Sequence, residues 1–234
     1  MFNSSGYQKN INNQRGNVFI FILVAIGLLA ALTFSLTRSD QEGGKSSDNA
    51  QMKLQVTQLL RTAKSLEFAI QKMSLRNGVS ENDISFHSGE WGHDEYKHKV
   101  KQPEENNVFS SQGGGLSIPS VPQYAKKSET LIAFRGDFGV VGVGSDAPEL
   151  TFTIEDVDTN FCISVNKEND IKNPSKQPPK DGLSTSEDMF AGIYSDRAGD
   201  SKIGDNVEDL KEKKTGCIED SSGIMVFYHV LVER

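Results

Sequence analysis

The feature that most constrains this chain is a run of 21 residues without a single charge, from Asn17 to Thr37. Nearly every residue in the run is apolar (NVFIFILVAIGLLAALTFSLT). As a helix rising ~1.5 Å per residue it would measure ~31 Å, which matches the hydrocarbon thickness of a bilayer. The sequence therefore predicts one transmembrane helix over residues 17–37. It contains no second long apolar run, so a second transmembrane helix is not expected.

The nearest alternative is a cleaved secretory signal, whose apolar region is shorter, about 7–15 residues, and ends at a small-x-small site. This run is longer and ends in Phe34-Ser-Leu-Thr-Arg38, without such a site, so a retained anchor is expected. Basic residues flank both sides and do not decide the orientation. An acid-free N-terminal tail and two cysteines beyond the run favour a cytoplasmic N-terminus and a periplasmic or extracellular C-terminal domain.

Charge is distributed unevenly along the chain. Residues 38–234 contain all 32 acidic residues and 23 of the 25 basic ones, so this part of the chain is acidic. A nucleic-acid partner is not expected, because the phosphate backbone is bound through a basic surface. Membrane lipid is the partner that the apolar run predicts. The length of this acidic part is sufficient for one domain with its own core.

A helix with an apolar stripe is predicted directly after the anchor. Its apolar residues follow one another at alternating spacings of four and three, which is the pattern of a helix that buries one face. Either the stripe packs on the chain's own sheet, or neighbouring copies of the chain share it as an assembly seam. The residues of this seam are Met52, Val56, Leu59, Ala63, Leu66, Ile70 and Met73.

Turn signals divide the chain further. Gly43-Gly44 predicts a polar hinge, and Asn77-Gly78 predicts the end of the helix. Strand-like runs then occur at residues 130–135, 138–143, 149–154, 162–165 and 223–232, whereas 87–107 and most of 166–216 are expected to be loops. The expected fold is α+β, with antiparallel strands after the helix. The expected organisation is a leader at 1–16, a transmembrane helix at 17–37, a hinge at 38–47, an amphipathic helix at 48–78 and a β-rich ectodomain at 79–234.

Cys162 and Cys217 are the two cysteines of the chain. They are either two buried free thiols, as in a cytosolic protein, or a disulfide in an oxidising compartment. The anchor upstream favours the disulfide, which would connect the last hairpin to a strand beginning at Phe161.

Candidate chemistry is sparse in the sequence. Acidic residues and histidines crowd residues 87–98, but their spacing fits no zinc pattern, so neither a metal nor a cofactor is expected. Gly139, Gly142 and Gly144 lie in a strand-like run and do not precede a helix, which argues against a dinucleotide-binding turn. No nucleophile motif is present, and an enzyme is not expected.

The N-terminal half resembles a type IV pilin or pseudopilin. Gln14-Arg15-Gly16 ends a short basic leader, an apolar helix begins at Asn17, and an amphipathic helix and a β-rich domain follow. In that family a prepilin peptidase cuts after the glycine, and the apolar helix forms the core of a filament. The resemblance implies processing between Gly16 and Asn17. This sequence departs from the family at Phe21, where pilins usually carry a glutamate.

A second resemblance covers the C-terminal part. The segments Phe161-Cys-Ile-Ser-Val-Asn166 and 216–234 are similar to uncharacterised membrane-anchored proteins of alphaproteobacteria, a resemblance that implies no activity. Two functions therefore remain open. The chain is either a pilin-like subunit that associates with itself or with other pilin-like subunits in a filament or secretion apparatus, or an uncleaved anchor whose ectodomain binds a partner or ligand through loops 87–107 and 167–216.

Overall fold

The computed structural model describes the backbone of residues 17–88, 94–181, 189–195 and 202–234, and within these ranges the side chains of 21–30 and from 47 onward. The structure is α+β with an antiparallel sheet of four strands, as the sequence predicts. Single turns of 3-10 helix lie in the connecting segments. The helices and strands are α1 (Asn17–Asn77), β1 (Leu131–Phe138), β2 (Glu149–Glu155), α2 (Thr159–Glu168), β3 (Thr215–Glu219) and β4 (Met225–Val232).

The chain divides into two compact units, residues 1–50 and residues 51–234, and α1 contributes to both. In the first unit, residues 21–30 are apolar at every position, and all of them are exposed. Among the helices that the structure describes, none combines the length and the apolar character that a membrane span requires. The predicted leader, with Gly16, lies outside the described residues, as does the side chain of Asn17.

The predicted hinge is not a break in secondary structure. The backbone of α1 is helical through residues 38–47, which include Gly43 and Gly44. Glycine costs a helix ~1 kcal/mol relative to alanine but can adopt helical backbone angles, so a glycine pair weakens a helix without ending it. The helix ends at Asn77, where Gly78 has a φ of +67° and its N–H donates to the carbonyl of Ser74.

In the second unit, residues 51–77 of α1 and helix α2 belong to one core with one face of the sheet, whose strand order is β1-β2-β4-β3. Leu59, Leu66 and Met73 lie in this core with Phe152 and Phe227. The stripe therefore packs on the chain's own domain, which was the first of the two alternatives. Six of its residues are buried and one, Met52, is half-buried, so the folded domain does not offer the seam as a surface for other subunits.

Two predicted strands are wrong. Residues 138–143 contribute only Phe138 to β1, because the chain then turns at Gly142, whose φ is +80°. Residues 162–165 belong to α2, and the Asp158 carboxylate caps this helix by accepting from the N–H groups of Asn160 (2.8 Å) and Phe161 (3.2 Å). A short apolar run fits a strand or a buried helix equally well, so the cap decides between them.

The disulfide between Cys162 and Cys217 is present, with 5.3 Å between the two Cα atoms. It connects α2 to β3, so its first cysteine lies on a helix and not on the predicted strand. Strand β3 itself falls at the end of a segment predicted to be mostly loop. It forms a hairpin with β4 through a turn in which the Asp220 carboxylate accepts from the N–H groups of Ser222 and Ile224, both at 2.8 Å.

Candidate functional site

A cavity of about 710 Å³ opens between three segments that the sequence assigned largely to a loop, residues 85–88, 97–104 and 107–110. We call it the His87 cavity. Its volume lies in the range of small-molecule sites in proteins. The cavity falls within the recognition loop predicted at residues 87–107, and of that loop the structure describes 87–88 and 94–107.

Backbone and amide hydrogen bonds hold the walls of the His87 cavity together. Ser85 bridges to the 106–108 segment, since its N–H donates to the carbonyl of Asn106 and its carbonyl accepts from Val108. The Asn107 side chain donates to the carbonyl of His87 (2.6 Å) and accepts from the N–H of Phe109 (2.8 Å). This arrangement fixes the positions of the cavity walls before any ligand arrives.

Aromatic packing fixes the inner wall. The rings of Phe86 and Phe134 stack with 3.9 Å between their centroids, and Phe109 packs against both at about 6 Å. Phe86 and Phe134 are fully buried, whereas Phe109 is half-buried and lines the cavity. One wall of the cavity is therefore an aromatic ring backed by the core of the domain.

The charged lining is mostly basic. Lys97, Lys99 and Lys101 line the cavity, and Glu104 is the one carboxylate among the described lining residues. Asp94 pairs with Lys97 at 2.5 Å, whereas Lys99 and Lys101 form no ion pair with any residue that the structure describes. The cavity is thus a basic site on a chain with a net charge of −7.

Two histidines also line the cavity, in different environments. His98 is held by a 3.0 Å contact between its Nε2 and the carbonyl of Ile84, and burial lowers its pKa. His87 has a buried Nδ1 atom with no hydrogen-bond partner among the described residues. A buried polar atom without a partner costs about 1–3 kcal/mol.

The acidic and histidine-rich cluster of residues 87–98 does not form a metal centre in the described part of the chain. No three His, Cys, Asp or Glu side chains gather closely enough there to hold a metal ion. Glu90 and His93 lie outside the described residues.

A second polar cluster joins α1 to the sheet. The ring of His229 on β4 lies between two oxygens, with Thr215 Oγ1 at 2.6 Å from Nδ1 and Glu67 Oε2 at 3.2 Å from Nε2. Burial lowers the pKa of His229 to about 4; Lys64 and Lys214 lower it further, and Glu67 opposes them. An imidazole with this pKa is a weak base at neutral pH, so the cluster is best explained as a structural connection between helix and sheet.

Glu149, at the start of β2, has a carboxyl group that is buried in the folded domain. Neither of its carboxylate oxygens has a hydrogen-bond partner among the described residues, and the side chain is fully buried. Burial raises its pKa to about 8, Glu233 adds to the increase, and the nearby N–H of Val140 offsets part of it. The carboxyl is therefore largely protonated at neutral pH.

Sequence reasoning predicted some of these residues and missed others. It identified the cysteine pair and the segment that contains the His87 cavity. It did not identify the cluster of Glu67, Thr215 and His229, because these residues are up to 162 positions apart and meet only when α1 packs on the sheet. The pairing of β3 with β4 places Thr215 opposite His229, so a prediction of that pairing would have brought two of the three residues together.

Comparison of the chain with known protein families, with curated proteins and with solved structures finds no match.

Proposed function

We propose that this chain is a pilin-like structural subunit of an envelope filament or secretion apparatus, anchored in a bacterial inner membrane by its N-terminal helix. The N-terminus would be cytoplasmic and the sheet domain periplasmic or extracellular. The proposal depends on the apolar run at residues 17–37, the leader that ends in Gly16, and the resemblance to pilins that they carry.

One structural observation supports the proposal most strongly. Residues 21–30 are helical and expose apolar side chains on every side, with Phe21 and Leu23 each 68% exposed. A helix that is apolar all round belongs in a protein core or in lipid. Among the described residues nothing covers this segment, so a bilayer, or the helices of other subunits, would supply the apolar surroundings.

The second unit offers a surface that is compatible with assembly. The buried seam is unavailable, but α1 carries three exposed apolar side chains outside it, Leu54, Phe68 and Leu75, which are 14 and 7 positions apart with Arg61 midway between the first two. Residues seven apart lie on the same face of a helix. Contacts between subunits would use this exposed stripe, and not the Met52 to Met73 seam.

The first test is the N-terminal mass of the full chain purified from its native membrane. A chain that begins at Asn17 supports the proposal, and a chain that begins at Met1 overturns it. Gly16→Leu should retain the leader, whereas the matched variant Gly6→Leu, which changes a glycine inside the leader, should be processed normally.

The second test concerns assembly. Phe68→Asp and Leu75→Asp alter side chains that are 68% and 87% exposed, so the sheet domain should remain folded while crosslinking between copies falls at least fivefold. Ser74→Asp, at an exposed polar position about 100° around the helix from Leu75, is the control and should crosslink as the wild type does. Unchanged crosslinking of the two apolar variants would exclude this stripe as the subunit contact.

The His87 cavity favours a second candidate function, an uncleaved anchor whose ectodomain binds a ligand or partner. A preformed cavity with a charged lining and an aromatic wall is typical of a binding site. Retention of the leader in the native protein would favour this function over the filament subunit.

A further inference from the structure

We infer that the His87 cavity binds a small organic anion, in which a carboxylate or phosphate group is attached to a sugar-sized ring. The inference extends the second candidate function and rests on it, because it names the chemistry of the ligand. It is independent of whether the leader is cleaved and whether the chain assembles.

The charge of the lining selects the sign of the ligand. Asp94 pairs with Lys97, whereas Lys99 and Lys101 have no ion pair with a described residue, and Glu104 is the one carboxylate among the described lining residues. A cavity lined by one sign of charge concentrates ligands of the opposite sign.

Hydrogen-bonding groups and the aromatic wall define the body of the ligand. His87, Ser110 and Gln102 line the cavity and bring polar side chains to it. Phe109 supplies a flat apolar surface on the inner side. A ligand of this kind would place its anionic oxygens beside the lysines and its ring against Phe109. An inorganic ion could contact the lysines but has no ring to pack on Phe109.

The volume agrees with this size of ligand. About 710 Å³ is far more than a single phosphate or carboxylate ion needs, and it falls within the range of 300–1,000 Å³ that small-molecule sites occupy. The ligand is therefore expected to be larger than an inorganic anion and to bind more tightly than one.

The test is isothermal titration calorimetry of the full chain in detergent at low salt, with four probes: glucuronate, glucose 6-phosphate, inorganic phosphate and uncharged glucose. At least one of the two sugar anions should bind at least tenfold more tightly than glucose and more tightly than inorganic phosphate. Preference for glucuronate would assign a carboxylate ligand, and preference for glucose 6-phosphate a phosphate ester. Equal affinity for glucose, or no binding of either sugar anion, would overturn the inference.

Variants locate the binding. The double variant Lys99→Gln with Lys101→Gln should weaken the preferred anion at least tenfold, and Glu104→Gln should strengthen it about threefold, since the opposing carboxylate is removed. The matched double variant Lys126→Gln with Lys167→Gln removes two exposed lysines outside the cavity and should change affinity less than twofold. An equal loss in both double variants would show that the anion binds the surface non-specifically.

The two proposals fail in different ways. Capture of a partner by the full chain is measured separately, by crosslinking and co-purification. If partner capture persists while every anion fails to bind, the anion inference is wrong and the binding-module function stands. If both fail, the binding-module function is wrong as well.

Discussion

Two parts of α1 use apolar side chains in opposite ways. Residues 21–30 are apolar on every side, and all of them are exposed. Residues 51–77 alternate apolar and polar positions with helical periodicity and bury one stripe, with Val56 and Ala63 fully inaccessible to solvent. One helix therefore contains a segment that completes the core of its own domain and a segment whose apolar side chains are exposed among the described residues.

The difference follows from how the apolar side chains are distributed around each segment of the helix. A stripe about 100° wide can be covered by one sheet, and the polar remainder of the helix stays in water. A helix that is apolar all round cannot be covered by a single sheet face. The sheet of the same chain covers the stripe of residues 51–77, whereas residues 21–30 are exposed in the part of the chain that the structure describes.

The largest expected effect comes from placing a charge in each segment. Leu66→Asp buries a carboxylate among Phe152, Phe227 and the rest of the core, and we expect it to destabilise the sheet domain by about 5 kcal/mol or more. Leu28→Asp should leave the melting temperature of the sheet domain unchanged and reduce partition into lipid vesicles. Thermal denaturation and vesicle flotation measure the two effects.

The control for this pair is Phe68→Asp, at an exposed position two residues from Leu66. It should melt within about 2 °C of the wild type. A low melting temperature for Phe68→Asp, or for Leu28→Asp, would show that the two segments do not differ as described. Leu66→Ala, with an expected loss of about 2–5 kcal/mol, provides a measurable value if Leu66→Asp does not fold.

Removing the disulfide should destabilise only the second segment's domain. In the chain-entropy model, a loop closed across 55 positions contributes ~4 kcal/mol, so Cys162→Ser with Cys217→Ser should lower the free energy of unfolding by about that amount. Urea denaturation measures the change. Reducing agent should have the same effect on the wild type and none on the double variant, and equal stability with and without the bridge would contradict the prediction.

The two segments also differ in titratable groups. Residues 17–37 contain none, whereas the sheet domain contains several that are buried, so only the stability of the sheet domain should depend on pH through them. The folded-state pKa of Glu149, about 8, lies above its ordinary value of 4.5. Its contribution to stability is therefore complete below pH 4.5 and is lost as the pH rises to 8. Glu149→Gln removes this loss and should stabilise the protein on the order of 3 kcal/mol at pH 7.

The measurement is the free energy of unfolding in urea at pH 5, 7 and 8, for the wild type and for Glu149→Gln. The gain in the variant should grow from pH 5 to pH 8. Glu233→Gln is the control, since it removes only the minor contribution to the pKa of Glu149 and should have a small effect. A gain that does not depend on pH would mean that Glu149 is ionised in the folded protein at every pH tested.

The smallest effect concerns His229, whose pKa falls from 6.5 to about 4 on folding. Its contribution is present above pH 6.5 and is lost as the pH falls towards 4, by about 2 kcal/mol at pH 5. Between pH 4.5 and 6.5 this loss opposes the change due to Glu149, so it should be clearest in the Glu149→Gln background. In that background, His229→Gln should reduce the dependence of the free energy of unfolding on pH between pH 4.5 and 6.5. An unchanged slope would mean that other groups cause this dependence.

The sequence predicted elements whose signal is local and long. The seam of α1, its end at Asn77-Gly78 and the strands near residues 131, 149 and 225 follow from periodicity and turn residues over many positions. It misassigned Cys162-Ile-Ser-Val165, because so short a run, with three apolar residues and a serine, fits a strand or a helix, and it overlooked Asp158 as a cap. It missed β3, whose pairing with β4 depends on a partner strand and on the Asp220 turn.

The sequence by itself determined an α+β chain with an uncharged apolar run, a helix with one apolar stripe and two cysteines able to pair. Periodicity, charge and composition are carried by neighbouring residues and need no fold to be read. Tertiary structure alone decided that the stripe is buried in the chain's own domain, that His229 lies between Glu67 and Thr215, and that lysines and Phe109 line one cavity. These contacts join residues far apart in the sequence, and their burial and charge exist only once the chain has packed.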